Sequence, residues 1–316
     1  GKELREFMQA TQIPATESAP SHGMVWDDSK LSACPAPGAN AVADVAMFIG
    51  QVRMPHYSFT TSNNLNRKAK IIRVDRWGED IGRNWPVDIG IVGDPKTVLQ
   101  QMIKEAWYYR GAGFASWIDE VQKYRADFEA DYRAVAKTYW DESTDAKYGV
   151  HPARTMYEFE QFLYFNPKID VKEFSVVSGG FGMARYMRRI LRAFREGQIV
   201  VGPYGFASIG GDIGFMMGMW AAWKKPVFGI GFGDAGFTFN CMEIETLAKY
   251  NVPSIIQIHN NNGWATLSSS YYDADRNRSS LVPGETNKVM LHAFQKNLRY
   301  EKIAEGLGGS GVYVTK

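Results

Sequence analysis

The chain has 316 residues, 36 basic against 34 acidic side chains, and 45% hydrophobic residues. That length holds two domains with cores of their own, and a net charge near zero gives no electrostatic basis for binding nucleic acid. No run of roughly eighteen apolar residues occurs and the start Gly1-Lys2-Glu3-Leu4-Arg5 is not a signal peptide, so no membrane partner is expected and the cytoplasm is the default location. Two cysteines, Cys34 and Cys241, are too few for a disulfide framework or a zinc site. An aromatic content of 14% suits a molecule with large subunit contacts.

Residues 1–104 alternate helical patterns with short apolar segments. Ile13 to Thr16, Val45 to Gly50, Lys70 to Asp75 and Val87 to Val92 are the predicted strands of a parallel sheet. Asp75, at the carboxyl end of its strand, is placed either to hold a ribose hydroxyl of bound ADP or CoA, with Arg53 near the phosphates, or to cap the turn that follows. Residues 105–150 are helical and strongly charged, with Asp119-Glu120 and Asp127-Phe128-Glu129, and read as a surface connector.

Residues 151–316 form a second α/β domain. Phe174 to Val177 is a predicted strand running into Gly179-Gly180-Phe181-Gly182, which imitates a dinucleotide fingerprint. The acidic residue that such a fingerprint requires is missing: Ile199-Val200-Val201 leads to Gly202-Pro203 instead. Phe206-Ala207-Ser208-Ile209-Gly210 is a glycine-rich loop before an apolar helix, whose Met216, Met217, Met219, Trp220 and Trp223 suit core and interface packing.

The most informative stretch is Gly233 to Gly263. Val227 to Ile230 is a short strand ending near Gly233-Asp234. Met242 to Tyr250 has helical spacing, with Met242, Leu247 and Tyr250 able to share a face. Pro253 ends that helix, and Ser254 to Ile258 is a β-branched strand that stops at Asn260-Asn261-Asn262. Parallel strands of a βαβ unit finish at one sheet edge, so Asp234, expected as an exposed loop carboxylate, meets the asparagines there. One carboxylate with amide and backbone oxygens suits Mg²⁺, which keeps few protein ligands and leaves positions for phosphate oxygens. Amides at Ala235 and Gly236 are placed to donate to the same phosphates. Gly-Asp alone is a common turn and asparagines cluster in loops for backbone reasons; the combination points to a metal-bound diphosphate. His259 reads as a core histidine or a substrate contact, and Glu243 and Glu245 as solvated or packing residues.

A Gly-Asp pair followed, twenty-seven residues after Asp234, by the second asparagine of an Asn-Asn pair resembles the thiamine-diphosphate signature. The wording Gly-Phe-Thr-Phe-Asn-Cys-Met-Glu-Ile-Glu-Thr at 236–246 is similar to the oxalyl-CoA decarboxylase and 2-hydroxyacyl-CoA lyase branch of those enzymes. Leu298 to Lys302 with Gly308 to Val312, and Arg73-Val74-Asp75 through Val92-Gly93-Asp94, extend the likeness over most of the chain. The resemblance implies two parallel-sheet, three-layer α/β domains. Residues 1–104 correspond to the middle domain without its first strand, and 151–316 to the diphosphate-binding domain without its last helices. It implies thiamine diphosphate and Mg²⁺ as cofactors, with Asp234, the Asn261 side chain and the Gly263 carbonyl on the metal, and Ala235 and Gly236 on the diphosphate. Ile209, between Ser208 and Gly210, takes the place of the aliphatic residue that props the bent cofactor, and the turn containing Gly182 forms a wall of its pocket.

Two departures matter. Nothing in the chain corresponds to the family's first domain, whose glutamate protonates the aminopyrimidine, so a fragment or one subunit of a split enzyme is expected, with a pyrimidine-binding domain or subunit as partner in a homo- or hetero-oligomer. After the metal-binding glycine the chain has Trp264-Ala265 where the decarboxylase branch has a tyrosine facing substrate, which implies a differently shaped acyl pocket. The expected reaction is cleavage, or reverse ligation, of a C–C bond in a 2-hydroxyacyl-CoA or related acyl-CoA, giving a carbonyl compound and formyl-CoA. A 2-oxo-acid decarboxylase or acetolactate-synthase-like carboligase without CoA, and a non-catalytic regulatory subunit, are the alternatives.

Overall fold

The computed structural model describes residues 1–17, 21–50, 65–83, 85–106, 108, 113–138, 150–179, 190–201, 209–263, 294 and 298–315. The chain divides into two compact units, Gly1–Tyr132 with Arg192–Gln198, and Arg133–Leu191 with Ile199–Lys316. Each is built on a parallel sheet with helices, the α/β class expected from the sequence.

The first unit carries strands β1 (Val45–Ile49), β2 (Lys70–Asp75) and β3 (Ile89–Val92), all parallel and in that spatial order. Ile71 and Val74 of the central strand are buried. Helices α1 (Lys2–Thr11) and α3 (Pro95–Ala106) pack against each other, and their amphipathic patterns bury Phe7 and Met8 on one and Val98 and Leu99 on the other. Ile13 to Thr16 is not a strand: it makes a single parallel bridge, Ala15 to Ser32, and Pro14 has no N–H to extend a ladder. The strand expected to Gly50 stops at Ile49, because Gly50 turns into left-handed space at φ 60°. Helix α4 (Ala115–Thr138) is more than a solvated connector, since Val121 packs against Ala33, Ala36 and Ala39 of helix α2 (Pro37–Val42) and the segment before it. Burial pushes the Glu17 carboxyl up to about 7 and the Cys34 thiol up to about 12 in this unit.

The second unit carries β4 (Ser175–Ser178), β5 (Ile199–Val201), β6 (Val227–Gly233) and β7 (Ser254–His259), parallel in the order β5-β4-β6-β7. β4 and β6 are central and buried almost throughout, as near-continuous apolar strands covered on both faces must be. Helix α5 (Pro152–Tyr164) starts at Pro152 behind an N-cap from His151, whose side chain accepts from Ala153 N. Helix α6 (Asp212–Trp223) is apolar all round and lays Ile213 and Met216 onto β4 and β6, where they join Val177, Phe232, Phe237 and Leu247 in one core. The helix expected over Met242 to Tyr250 is α8 (Glu243–Lys249), which buries Ile244 and Leu247, and a second helix that the sequence reading did not place, α7 (Asp234–Asn240), precedes it. Of the predicted face only Leu247 is buried; Met242 and Tyr250 are the exposed residues that cap the helix at its two ends. Helix α9 (Tyr300–Gly306) is the last described helix and buries Tyr300 edge-on against Phe237. Among the described residues no helix is long and apolar enough to cross a membrane.

Candidate metal and diphosphate site

The site grows from the end of β6. A register shift lies between Gly229 and Phe232, and Gly231 takes a left-handed φ of 70° there. The Gly231 N–H that the shift removes from the ladder donates to Gln257 Oε1 at 2.6 Å, so the irregular strand stays satisfied. Beyond it the ladder resumes with Gly233 opposite His259, which levels the carboxyl ends of β6 and β7. Helix α7 then begins directly at Asp234.

Asp234 is not the exposed loop carboxylate the sequence suggested; it is 1% exposed. Its Oδ1 accepts from Ala235 N at 2.8 Å and its Oδ2 from Gly263 N at 3.0 Å, one bond to each side of the strand pair. Burial raises its carboxyl above the usual range, and the backbone N–H donors oppose that shift. Across the edge, Asn262 sits at φ 60° with its N–H on Asn260 Oδ1, a turn asparagine tolerates, and this folds Gly263 back onto Asp234.

The Asn261 amide end lies 3.0 Å from Asp234 Oδ1 and 2.9 Å from the Gly263 carbonyl oxygen. As placed, its carbonyl oxygen is the atom that faces those two oxygens; turned over, its NH₂ donates to both. The first orientation gathers three oxygens as ligands around a cation would be gathered, and the second satisfies the same atoms without one. Octahedral Mg²⁺ at about 2.1 Å from each ligand spaces neighbouring oxygens by about 3.0 Å, so the cluster fits the ion expected from the sequence.

Ile209 and Gly210 are brought to the same edge. A Cβ on Gly236 would stand 3.2 Å from Ile209 Cγ2, and Gly210, at φ 91°, lies so close to α7 that a Cβ there would meet Phe239 Cβ at 2.5 Å. Asn240 Nδ2 donates to the Gly210 carbonyl and fixes the loop to the helix. Of the two amides expected to reach phosphate, Ala235 N–H is engaged by Asp234, whereas Gly236 N–H lies in the first turn of α7, where no intrahelical acceptor exists. Asp75 belongs to the first unit: Oδ1 accepts from Trp77 N at 3.3 Å and Oδ2 from Arg73 Nη2 at 3.0 Å, the turn-capping role rather than one toward ADP. Gly182, Ser208 and Arg53 lie outside the described residues, as do Trp264 and Ala265. His259 is partly buried, and burial, with the charge of His151 adding, lowers its pKa.

Sequence reasoning passed over Asp212. This carboxylate opens α6, is 6% exposed, and has no hydrogen-bond or ion-pair partner among the described residues. Its Oδ2 lies 2.5 Å from where a Cβ on Gly179 would stand and 3.9 Å from that of Gly236, between the ends of β4 and β6. The signal was available, since Asp212 is the one charged residue between Phe206 and Trp223. Burial alone raises it to about 6. The folded state therefore binds this proton more tightly than the unfolded one. The stability it contributes is full below about pH 4 and is lost as pH rises through about 6. Asp212→Asn should match the wild-type stability near pH 4 and exceed it at neutral pH by about 3 kcal/mol, with a correspondingly higher melting temperature; thermal melts across that range check this.

Two descriptions of one family match. Thiamine pyrophosphate enzyme, central domain, matches residues 1–102, and thiamine pyrophosphate enzyme, C-terminal TPP binding domain, matches residues 180–316. Similar curated proteins include the oxalyl-CoA decarboxylase of Escherichia coli (strain K12), 26% identical over 99% of this chain and 51% of its own length. The 2-hydroxyacyl-CoA lyase of Arabidopsis thaliana is 25% identical over 99% and 52%. A probable acetolactate synthase large subunit of Methanococcus aeolicus is 24% identical over 82% and 44%. The chain thus spans about half the length of the curated relatives it matches. With both matches falling on parallel α/β units and the second enclosing the Asp234–Asn261–Gly263 cluster, the chain belongs to the thiamine pyrophosphate enzymes, of which it carries the central and the C-terminal TPP-binding domains.

Proposed function

We propose that this chain provides the Mg²⁺ and diphosphate half of a thiamine-diphosphate site that cleaves, or in reverse forms, a C–C bond in a 2-hydroxyacyl-CoA or related acyl-CoA, yielding a carbonyl compound and formyl-CoA. The observation that carries the cofactor half is the convergence of Asp234 Oδ1, the Asn261 amide and the Gly263 carbonyl within 3.0 Å and 2.9 Å. Support for the substrate class comes from the names of relatives aligned over nearly the whole chain, an oxalyl-CoA decarboxylase and a 2-hydroxyacyl-CoA lyase. When bound, thiamine diphosphate supplies the electron sink that C–C cleavage needs.

The chain's own residues then have separable duties. Asp234, Asn261 and Gly263 hold the cation, and the cation neutralises phosphate charge beside a carboxylate that would otherwise repel it. The first-turn amide of Gly236 faces the phosphates. Ile209, half exposed over Gly236, is the apolar support against which the cofactor bends. Calorimetry with thiamine diphosphate, with and without Mg²⁺, tests the anchoring; no Mg²⁺-dependent binding would refute it. The competing reading is a CoA-free carboligase, favoured by the acetolactate synthase relative. Turnover of 2-oxo acids but not acyl-CoA thioesters, with a pyrimidine-domain partner supplied, would decide for it.

Ile209→Ala separates support from anchoring. The metal cluster does not include Ile209, so thiamine-diphosphate affinity should change less than about threefold. Turnover with the partner domain should fall by at least about tenfold, because the loss lies in reactive geometry. Parallel losses in both would mark a collapsed loop, and wild-type turnover would assign the support elsewhere.

A further inference from the structure

The first unit holds a cluster that the thiamine-diphosphate site does not use. No helix or strand forms between Thr11 and Pro37 among the described residues, yet this segment brings Glu17, His22 and Cys34 together. A Glu17 carboxylate oxygen, a His22 ring nitrogen and Cys34 Sγ all lie within 4.8 Å of one another. The His22 side chain is only 8% exposed and its Nε2 is buried with no hydrogen-bond partner; Asp27 Oδ2 stands 3.5 Å away.

The surroundings are already ordered around these donors. Glu17 is fixed because Oε2 accepts from Gly23 N at 2.9 Å and Oε1 accepts from Val25 N. Asp27 behind His22 accepts from Ala193 N at 2.6 Å and from Ser32 Oγ at 3.2 Å, and at 3.5 Å its Oδ2 forms no hydrogen bond with His22 Nε2. A buried nitrogen without a partner carries an energetic penalty.

We propose that Glu17, His22 and Cys34 bind a divalent transition-metal ion of the Zn²⁺ type, as a structural site that pins the irregular segment between Thr11 and Pro37. One thiolate, one imidazole and one carboxylate form a borderline-soft set that suits Zn²⁺ and disfavours Mg²⁺. Ligand distances of about 2.0–2.3 Å place neighbouring tetrahedral donors about 3.3–3.8 Å apart, inside the 4.8 Å that bounds the three donors. The site escapes a reading of spacing because its donors are scattered over Glu17 to Cys34 without a repeated Cys or His pair.

The test uses the full 1–316 chain carrying Asp234→Asn, which weakens the other cation site and so keeps this inference distinguishable from the proposed cofactor chemistry. After chelation, Co²⁺ is added as a spectroscopic probe and Zn²⁺ as competitor. We expect one equivalent of Co²⁺ with a thiolate-to-cobalt charge-transfer band, displaced by Zn²⁺ and unaffected by excess Mg²⁺. The melting temperature should rise with Zn²⁺. Cys34→Ser should abolish the band, and His22→Gln should weaken binding at least about tenfold. Circular dichroism of the metal-free variants checks their folding. Absence of the band from the parent protein overturns the proposal without recourse to any variant, as does a band that persists in Cys34→Ser.

Discussion

Asp234→Ala should reduce Mg²⁺-dependent thiamine-diphosphate affinity by more than about 100-fold, since loss of a directly ligating carboxylate exceeds the 10- to 100-fold typical of outer-sphere partners. The effect on folding has a different origin. Asp234 accepts from Ala235 N at 2.8 Å and Gly263 N at 3.0 Å, and alanine leaves both donors unpaired in a buried place. Each unsatisfied group costs about 1–3 kcal/mol, partly offset because a buried charge also disappears. Asp234→Asn separates the two effects, as it keeps one acceptor and removes the charge. Because burial raises the Asp234 carboxyl, the wild type loses stability as pH rises through the folded-state pKa, and the asparagine variant should gain on it over that interval. Calorimetry and thermal melts on both variants measure this. Unchanged affinity in a folded Asp234→Asn protein would remove Asp234 from the metal.

The sequence carried the second unit further than the first. Val227 to Asp234 and Ser254 to Asn261 are legible because a buried parallel strand is a continuous apolar run, and a polar residue at its end has one place to go. Asp234, Asn261 and Gly263 do meet at that edge. Burial was not legible: Asp234 lies under the turn made by Asn262 in left-handed conformation, a tertiary consequence that local pattern does not encode. The helix predicted over Met242 to Tyr250 is present as Glu243–Lys249, whereas the short helix Asp234–Asn240 before it was not read from the sequence. In the first unit, Ile13 to Thr16 has strand composition but offers one bridge, and Asp75 turned out to serve its own turn and Arg73. Asp212 offered a signal as the one charged residue of an apolar stretch, whereas the Glu17–His22–Cys34 cluster sits in no spaced motif and depends on which backbones come close.

Assayed alone, residues 1–316 should be nearly inactive toward any acyl-CoA or 2-oxo acid. The described site contains groups that anchor a cation and phosphates, and an apolar support at Ile209. Two ionisable groups of this unit are poorly placed as a substitute proton relay. Asp212 is enclosed between Gly179 and Gly236, and the buried Tyr300 phenol is pushed up to about 12 by burial and by Asp234, far above neutral pH. A positioned general acid contributes about 10²–10⁴-fold to a rate, and the aminopyrimidine end of the cofactor needs one. Adding a pyrimidine-binding domain with its glutamate should therefore restore turnover by about that factor, while thiamine-diphosphate affinity for the chain alone stays measurable through the metal. The comparison is steady-state turnover with and without that domain, against binding measured by calorimetry on the same preparations. Full-speed turnover by the isolated chain would place an acid within it, and Asp212→Asn would be the first variant to ask whether that acid is the buried carboxylate beside Gly236.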